Sequence, residues 1–157
     1  MKDWKETARE HQKKYARFLK RCDQRKVIRL LPALHEEAFS QLNCLDCANC
    51  CTHHSPRFKI PDIKRIARHL RMKEGDFIQQ YLKLDDENDY VLQQQPCSFL
   101  QTDRTCSIYE VRPSDCARYP YTDEDVLIKR TSLTLKNTEV CPAVFYVLEK
   151  LCETLPE

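Results

Sequence analysis

Four cysteines fall within eight residues, Cys44, Cys47, Cys50 and Cys51, in the run C-L-D-C-A-N-C-C. Four more, Cys97, Cys106, Cys116 and Cys141, follow at wide, loop-like positions. Thiolates crowded this densely in a reducing compartment hold metal. A Cys-x2-Cys spacing lets two sulfurs of one tight turn reach a single ion at ~2.3 Å. Eight cysteines can supply two complete tetrahedral sites, or one iron–sulfur cluster with ligands to spare. A chain of this kind has to fold so that turns distant in sequence share a binding system.

The 157 residues are the length of one domain, enough to bury a core of their own. Ten cysteines exceed ordinary usage but fall short of the >8–10% typical of disulfide scaffolds. No apolar run approaches the ~20 residues needed to span a membrane. Residues 1–21 mix Lys and Arg with Asp3, Glu6 and Glu10 and lack an apolar stretch, unlike a secretory signal or a mitochondrial presequence. The cytosol is the expected compartment, and there thiols stay reduced. Gly75 is the sole glycine, which excludes the glycine-rich phosphate loops of the usual nucleotide-binding folds.

Charge is split along the chain. Residues 1–73 carry 18 Lys/Arg against 8 Asp/Glu, and residues 74–157 carry 8 against 16. A basic half can serve nucleic acid or an acidic partner. Here the cations are spread over several helices, without a reader motif or an aromatic–basic platform, so nucleic acid is disfavoured. An unidentified protein partner remains open.

Periodicity predicts a mainly α protein with a small β-hairpin or sheet (α+β), a single compact domain organised around a cysteine–metal cluster. Trp4, Ala8, His11, Tyr15, Phe18 and Cys22 recur at helical spacing, as do Val27, Leu31, Leu34, Ala38 and Leu42 around Pro32. Residues 1–43 thus read as a helical pair packed on the core, and 44–157 as the cysteine-cluster domain. Residues 43–59 read as a loop. Pro61 opens a third helix, Gly75 reads as a break, and Phe77–Leu82 as a fourth short helix. Tyr90–Gln95 alternates like a strand. Cys97–Leu100 and Cys106–Tyr109 flank a polar turn and suit a hairpin. Residues 110–121 read as loop or short helix, and the β-branched stretch Val126–Leu135 as a further strand. Pro142 starts a last helix. Cys22 and Cys152 lie on apolar helical faces and read as small core residues rather than ligands.

Cys44, Cys47 and Cys50 form Cys-x2-Cys-x2-Cys, the run that bacterial ferredoxins use for three ligands of a four-iron cluster. Zinc ribbons share the two-residue spacing. On an extended backbone the neighbours Cys50 and Cys51 would point apart, which argues for a second site or a polynuclear centre. His53 and His54 follow at once and are chemically acceptable ligands. Asp46, Asn49 and Asp115 suit turns or hydrogen bonds to ligands. Arg112 and Arg118 bracket Cys116, where a cation would offset thiolate charge.

The joint pattern is specific. C-L-D-C-A-N-C-C, then C-S-F-L, then C-S-I-Y-E-V-R-P-S-D-C-A-R-Y-P, then C-P resembles the YkgJ-type cysteine-cluster proteins, the CxxCxxCC family of zinc- or iron-chelating domains. The likeness covers roughly residues 44–142. It implies that Cys44, Cys47, Cys50, Cys51, Cys97, Cys106, Cys116 and Cys141 are metal ligands, with Tyr109, Arg112 and Pro113 as motif companions. The family commonly has Arg directly after the cysteine of its R-P-x-x-C element, where this chain has Ala117 and then Arg118.

The leading expectation is a metal-binding protein that holds iron or an iron–sulfur cluster, for redox or sensing. The alternative is a structural zinc protein, with one or two four-cysteine sites, acting as an interaction module. A distant likeness of the cysteine run to flagellin lysine methylases keeps an iron–sulfur enzyme of the protein-lysine methylase type open. No catalytic residue and no methyl-donor motif is identifiable.

Overall fold

The computed structural model describes residues 4–155. Its contacts fall into two units, Met1–Asn43 with Pro120–Glu157, and Cys44–Tyr119. The protein is mainly helical with one two-stranded antiparallel sheet, the class that periodicity predicts. Among the described residues no helix is long and apolar enough to cross a membrane.

Among the described residues the regular structure of the first unit is all helical. The stripe from Trp4 to Cys22 folds as α1 (Trp4–Glu10) and α2 (Gln12–Arg21) rather than one helix. His11 separates them at φ −86, ψ 2, yet its N–H still reaches the Thr7 carbonyl at 2.9 Å, so the apolar face continues. Cys22 ends α2 in extended backbone. Asp23 caps α3 (Gln24–Gln41), its side chain accepting from the Arg25 and Lys26 N–H groups. Pro32 lies inside α3 and does not start it.

The expected strand over Val126–Leu135 is not formed. That stretch is α9 (Val126–Lys129) and α10 (Thr131–Thr138), broken at Arg130. Burial overrides β-branched propensity here: Leu127, Ile128, Thr134 and Thr138 are buried, and the Thr134 hydroxyl donates to the Leu127 carbonyl at 2.7 Å. The last helix, α11 (Pro142–Thr154), begins at the proline and packs on α3. Tyr15, Leu31, Val144, Val147, Leu148 and Leu151 are essentially sealed from water. Glu149 on α11 accepts from the Tyr15 hydroxyl at 2.5 Å and from Lys14 Nζ at 3.2 Å, with His11 Nδ1 at 2.7 Å.

In the second unit the cysteine run is not a loop but two short helices, α4 (Cys44–Cys47) and α5 (Asn49–His53). Then come α6 (Ile60–His69), α7 (Glu74–Tyr81), β1 (Leu82–Leu84), β2 (Tyr90–Leu92), a 3-10 turn over Tyr109–Val111 and α8 (Ser114–Arg118). Gly75 is not a break: it sits in the first turn of α7, and the break lies between α6 and α7. β2 realises the first half of the predicted strand and pairs with β1, Leu82 facing Leu92 and Leu84 facing Tyr90. The expected hairpin after Cys97 is reduced to one bridge, Leu100 opposite Cys106. Phe58, Ile63, Ile66, Phe77, Leu82, Leu92, Phe99 and Ile108 form this unit's core.

Candidate metal centre

Between α4 and α5 the backbone turns through Ala48, which takes the left-handed conformation at φ 52. With no glycine available, a small residue makes the turn, and its side chain is buried. Cys44 and Cys47 stand one turn apart on α4, and Cys50 and Cys51 follow on α5. The backbone at Cys50–Cys51 is therefore helical, not extended, and the two side chains do not diverge. The Cys50 thiol hydrogen-bonds Cys51, and this is the main cause that lowers the Cys51 thiol; burial opposes it.

The later cysteines reach this run through named contacts. The Cys97 N–H donates to the Cys51 carbonyl at 2.8 Å. Arg104, at the tip of the turn between Cys97 and Cys106, donates to the Cys47 carbonyl. Arg112 Nη1 donates to the Tyr109 carbonyl at 2.7 Å, and its guanidinium lies 4.0 Å from the Tyr109 ring centroid. So two of the three motif companions, Tyr109 and Arg112, form a cation–π pair.

Cys116 rides on α8, and Asp62 fixes where α8 begins. Asp62 Oδ1 accepts from the Ser114 N–H (3.1 Å) and Arg65 Nη2 (2.8 Å), and Oδ2 from the Ser114 hydroxyl and the Lys59 N–H, both at 3.1 Å. Asp115, also buried, accepts from Arg57 Nε at 3.0 Å, and its Oδ1 has Lys59 Nζ 3.8 Å away, too long for a hydrogen bond. Sequence reading missed Asp62, Arg57, Lys59 and Arg104. An acidic residue in the first turn after a helix-opening proline is a capping signal for Asp62, but nothing local announces its bond to Ser114.

The thiols feel one another. Burial raises Cys44 first, then repulsion from Cys47; Arg112 opposes and Cys51 adds. Burial pushes Cys97 up to about 11, helped by the charges of Cys51 and Cys106 and opposed by backbone donors. Cys106 is raised by burial and Cys51, and lowered by the Ile108 N–H and Arg112. Cys116 is raised by burial, then by Cys97, Cys51, Cys106 and Asp115. Its residue is nonetheless exposed, as is that of Cys44, so protein crowds the Cys116 thiol while the residue itself reaches water. The charge of Cys51 recurs among those that raise Cys44, Cys97, Cys106 and Cys116. Arg112 supplies countercharge to Cys44 and Cys106.

His53 and His54 separate cleanly. His53 is exposed, its Nδ1 beside the Thr52 hydroxyl (2.7 Å) and the Asn49 carbonyl (2.9 Å). His54 is half-buried against Tyr119, ring centroids 5.4 Å apart, and its buried Nε2 has no hydrogen-bond partner. Burial holds His54 below the usual histidine range, with the His53 charge adding. Asp46 is exposed. Cys141 falls in the other unit, buried just before α11. Cys22 donates to the Leu19 carbonyl at 3.7 Å, as a packed helix residue does.

Among the described residues no three His, Cys, Asp or Glu side chains stand arranged as a ready-made ion site. The donor chemistry nevertheless fits a zinc or iron centre: the thiols are soft ligands that repel one another as anions, and a cation relieves that repulsion.

Comparison with known proteins agrees. The model of the CxxCxxCC family, described as "Putative zinc- or iron-chelating domain", matches residues 43–142. No curated protein and no solved structure matches the chain. The family match covers most of the chain and takes in all eight cysteines of the pattern. The chain belongs to the CxxCxxCC family of zinc- or iron-chelating domains.

Proposed function

We propose that the protein holds iron as an iron–sulfur cluster and serves in redox or sensing. Seven thiols of one unit, Cys44, Cys47, Cys50, Cys51, Cys97, Cys106 and Cys116, are its candidate ligands, with Cys141 the eighth of the family pattern. The observation that carries this reading is that the later cysteine segment is tied to the first run, the Cys97 N–H donating to the Cys51 carbonyl and Arg104 to the Cys47 carbonyl, with the Cys51 charge among those that raise Cys44, Cys97, Cys106 and Cys116. One closed zinc site needs four ligands, and this neighbourhood offers more. A bound cluster supplies one-electron chemistry. The protein's part is to gather the thiolates, offset their charge with Arg112 and clamp the Cys47 carbonyl with Arg104. Exposed Cys44 and Cys116 give the centre an edge open to solvent. A thiolate-held centre needs its cysteines reduced, which supports the reading of a cytosolic protein.

The unpartnered Nε2 of His54 favours a second reading, a structural zinc site of mixed Cys and His ligands. Protein isolated without oxygen decides between them. The iron–sulfur reading predicts a coloured protein with iron and acid-labile sulfide in comparable amounts. Colourless protein with stoichiometric zinc and no sulfide establishes the second reading instead.

A further inference from the structure

Helix α6 buries Asp62, Ile63, Ile66 and Ala67 and turns its cations outward, as a 3.6-residue period requires. The outward face is concave. Pro61, Lys64, Arg65, Arg68, His69 and Val111 line a groove of ≈ 430 Å³. No acidic side chain is among them. Arg65 is committed to Asp62 Oδ1 and to the carbonyls of Val111 (3.3 Å) and Arg112 (2.8 Å). Lys64, Arg68 and His69 form no ion pair among the described residues. By contrast, Lys14, Lys129 and Lys150 each find a carboxylate on their own or a neighbouring helix. Lys64 and Arg68 stand four residues apart, so like charges share one ridge and repel. Beside Pro61, Ile60 is 60% exposed, the most exposed large apolar side chain described.

The groove sets these cations around two apolar residues, Pro61 and Val111, with no carboxylate in its lining. We propose that this groove docks an acidic segment of a partner protein, one that carries an apolar anchor. Its carboxylates meet Lys64 and Arg68, and its apolar side chain covers Pro61, Val111 and Ile60. Nucleic acid fits less well, because the lining has no Phe, Tyr or Trp ring on which a base can stack. A docked segment lies over Arg65, whose bonds hold the Val111 and Arg112 carbonyls, and the Arg112 charge acts on Cys44 and Cys106. The partner therefore rests on the segment that supplies the thiols' countercharge, whichever metal they hold.

Fluorescence anisotropy on the full chain tests this, with a labelled peptide alternating glutamate and leucine as probe. The expected result is saturable binding that weakens with salt and falls about tenfold or more in the Lys64→Glu/Arg68→Glu variant. Ile60→Ser, which leaves charge unchanged, should also weaken it, and a leucine-free polyglutamate peptide should bind less tightly. All three substituted positions are exposed, and an unchanged circular dichroism spectrum confirms folding. Equal affinity in the charge-reversed variant overturns the proposal. So does an oligonucleotide of equal charge that binds as tightly, or sedimentation showing that the groove is covered by a second copy of the chain.

Discussion

Asp62 shows how much one side chain holds in place. Burial alone would raise its carboxyl, but Arg65, the Ser114 and Lys59 N–H groups and the Ser114 hydroxyl outweigh burial and hold it below the usual range. A carboxyl lowered in the folded state contributes stability above its unfolded value of about 4, and that contribution is lost as pH falls through the folded value. Thermal unfolding followed from about pH 7 down to about pH 2 should show this loss. Asp62→Asn should flatten it and cost about 1–3 kcal/mol, the usual range for a buried network left short of a partner. The cysteines make a second test at this scale. Cys47→Ser should lose metal by elemental analysis, whereas Cys22→Ser, at the end of α2, and Cys152→Ser, on α11, should keep it, because neither belongs to the cysteine pattern of the family. Equal metal in all three would refute the ligand assignment. The spacing of Cys44, Cys47 and Cys50 was legible as metal chemistry from the sequence. The contrast between His53 and His54 was not, since it depends on Tyr119, far along the chain.

At the scale of elements, the helices with a clear apolar stripe were readable and the ambiguous stretches were not. Val126–Leu135 carries strand-like residues, but Gln12 of α2 donates to the Leu135 carbonyl and the Thr138 hydroxyl of α10, contacts no local pattern encodes. β1 went unread because three residues after a helix leave no alternation to detect. Gly75 was misread because glycine usually punctuates; in α7 it occupies a helical position where an added Cβ meets nothing within 4 Å. Gly75→Ala should therefore stabilise the protein by about 0.5–1 kcal/mol, measured by denaturant unfolding. Ala48 is the opposite case. At φ 52 a β-branched side chain is strained, so Ala48→Val should cost roughly 1–2 kcal/mol and loosen the turn that sets Cys47 against Cys50. Metal retained at wild-type affinity in that variant would show that the α4–α5 turn does not shape the site.

For the molecule as a whole, the association of the first helices with the last was beyond the reach of sequence, because α3 and α11 are separated by the entire cysteine unit. The sharing of one neighbourhood by seven cysteines was anticipated only through their number and the family pattern. Spacing alone does not show that the Cys97 N–H donates to the Cys51 carbonyl, or that Cys141 lies in the other unit. If metal gathers the thiols of Cys44–Tyr119, its removal should release that unit selectively. Hydrogen exchange should then quicken over residues 44–119 after chelation, with α3 and α11 little changed, because metal binding contributes to folding energy. Uniform protection with and without metal would contradict this.

X-ray absorption at the iron edge of protein isolated without oxygen tests the central claim most directly. The account predicts a first shell of sulfur around each iron, with a second iron as the next scatterer. Iron bound only by nitrogen and oxygen, or no iron and a zinc edge in its place, would contradict it.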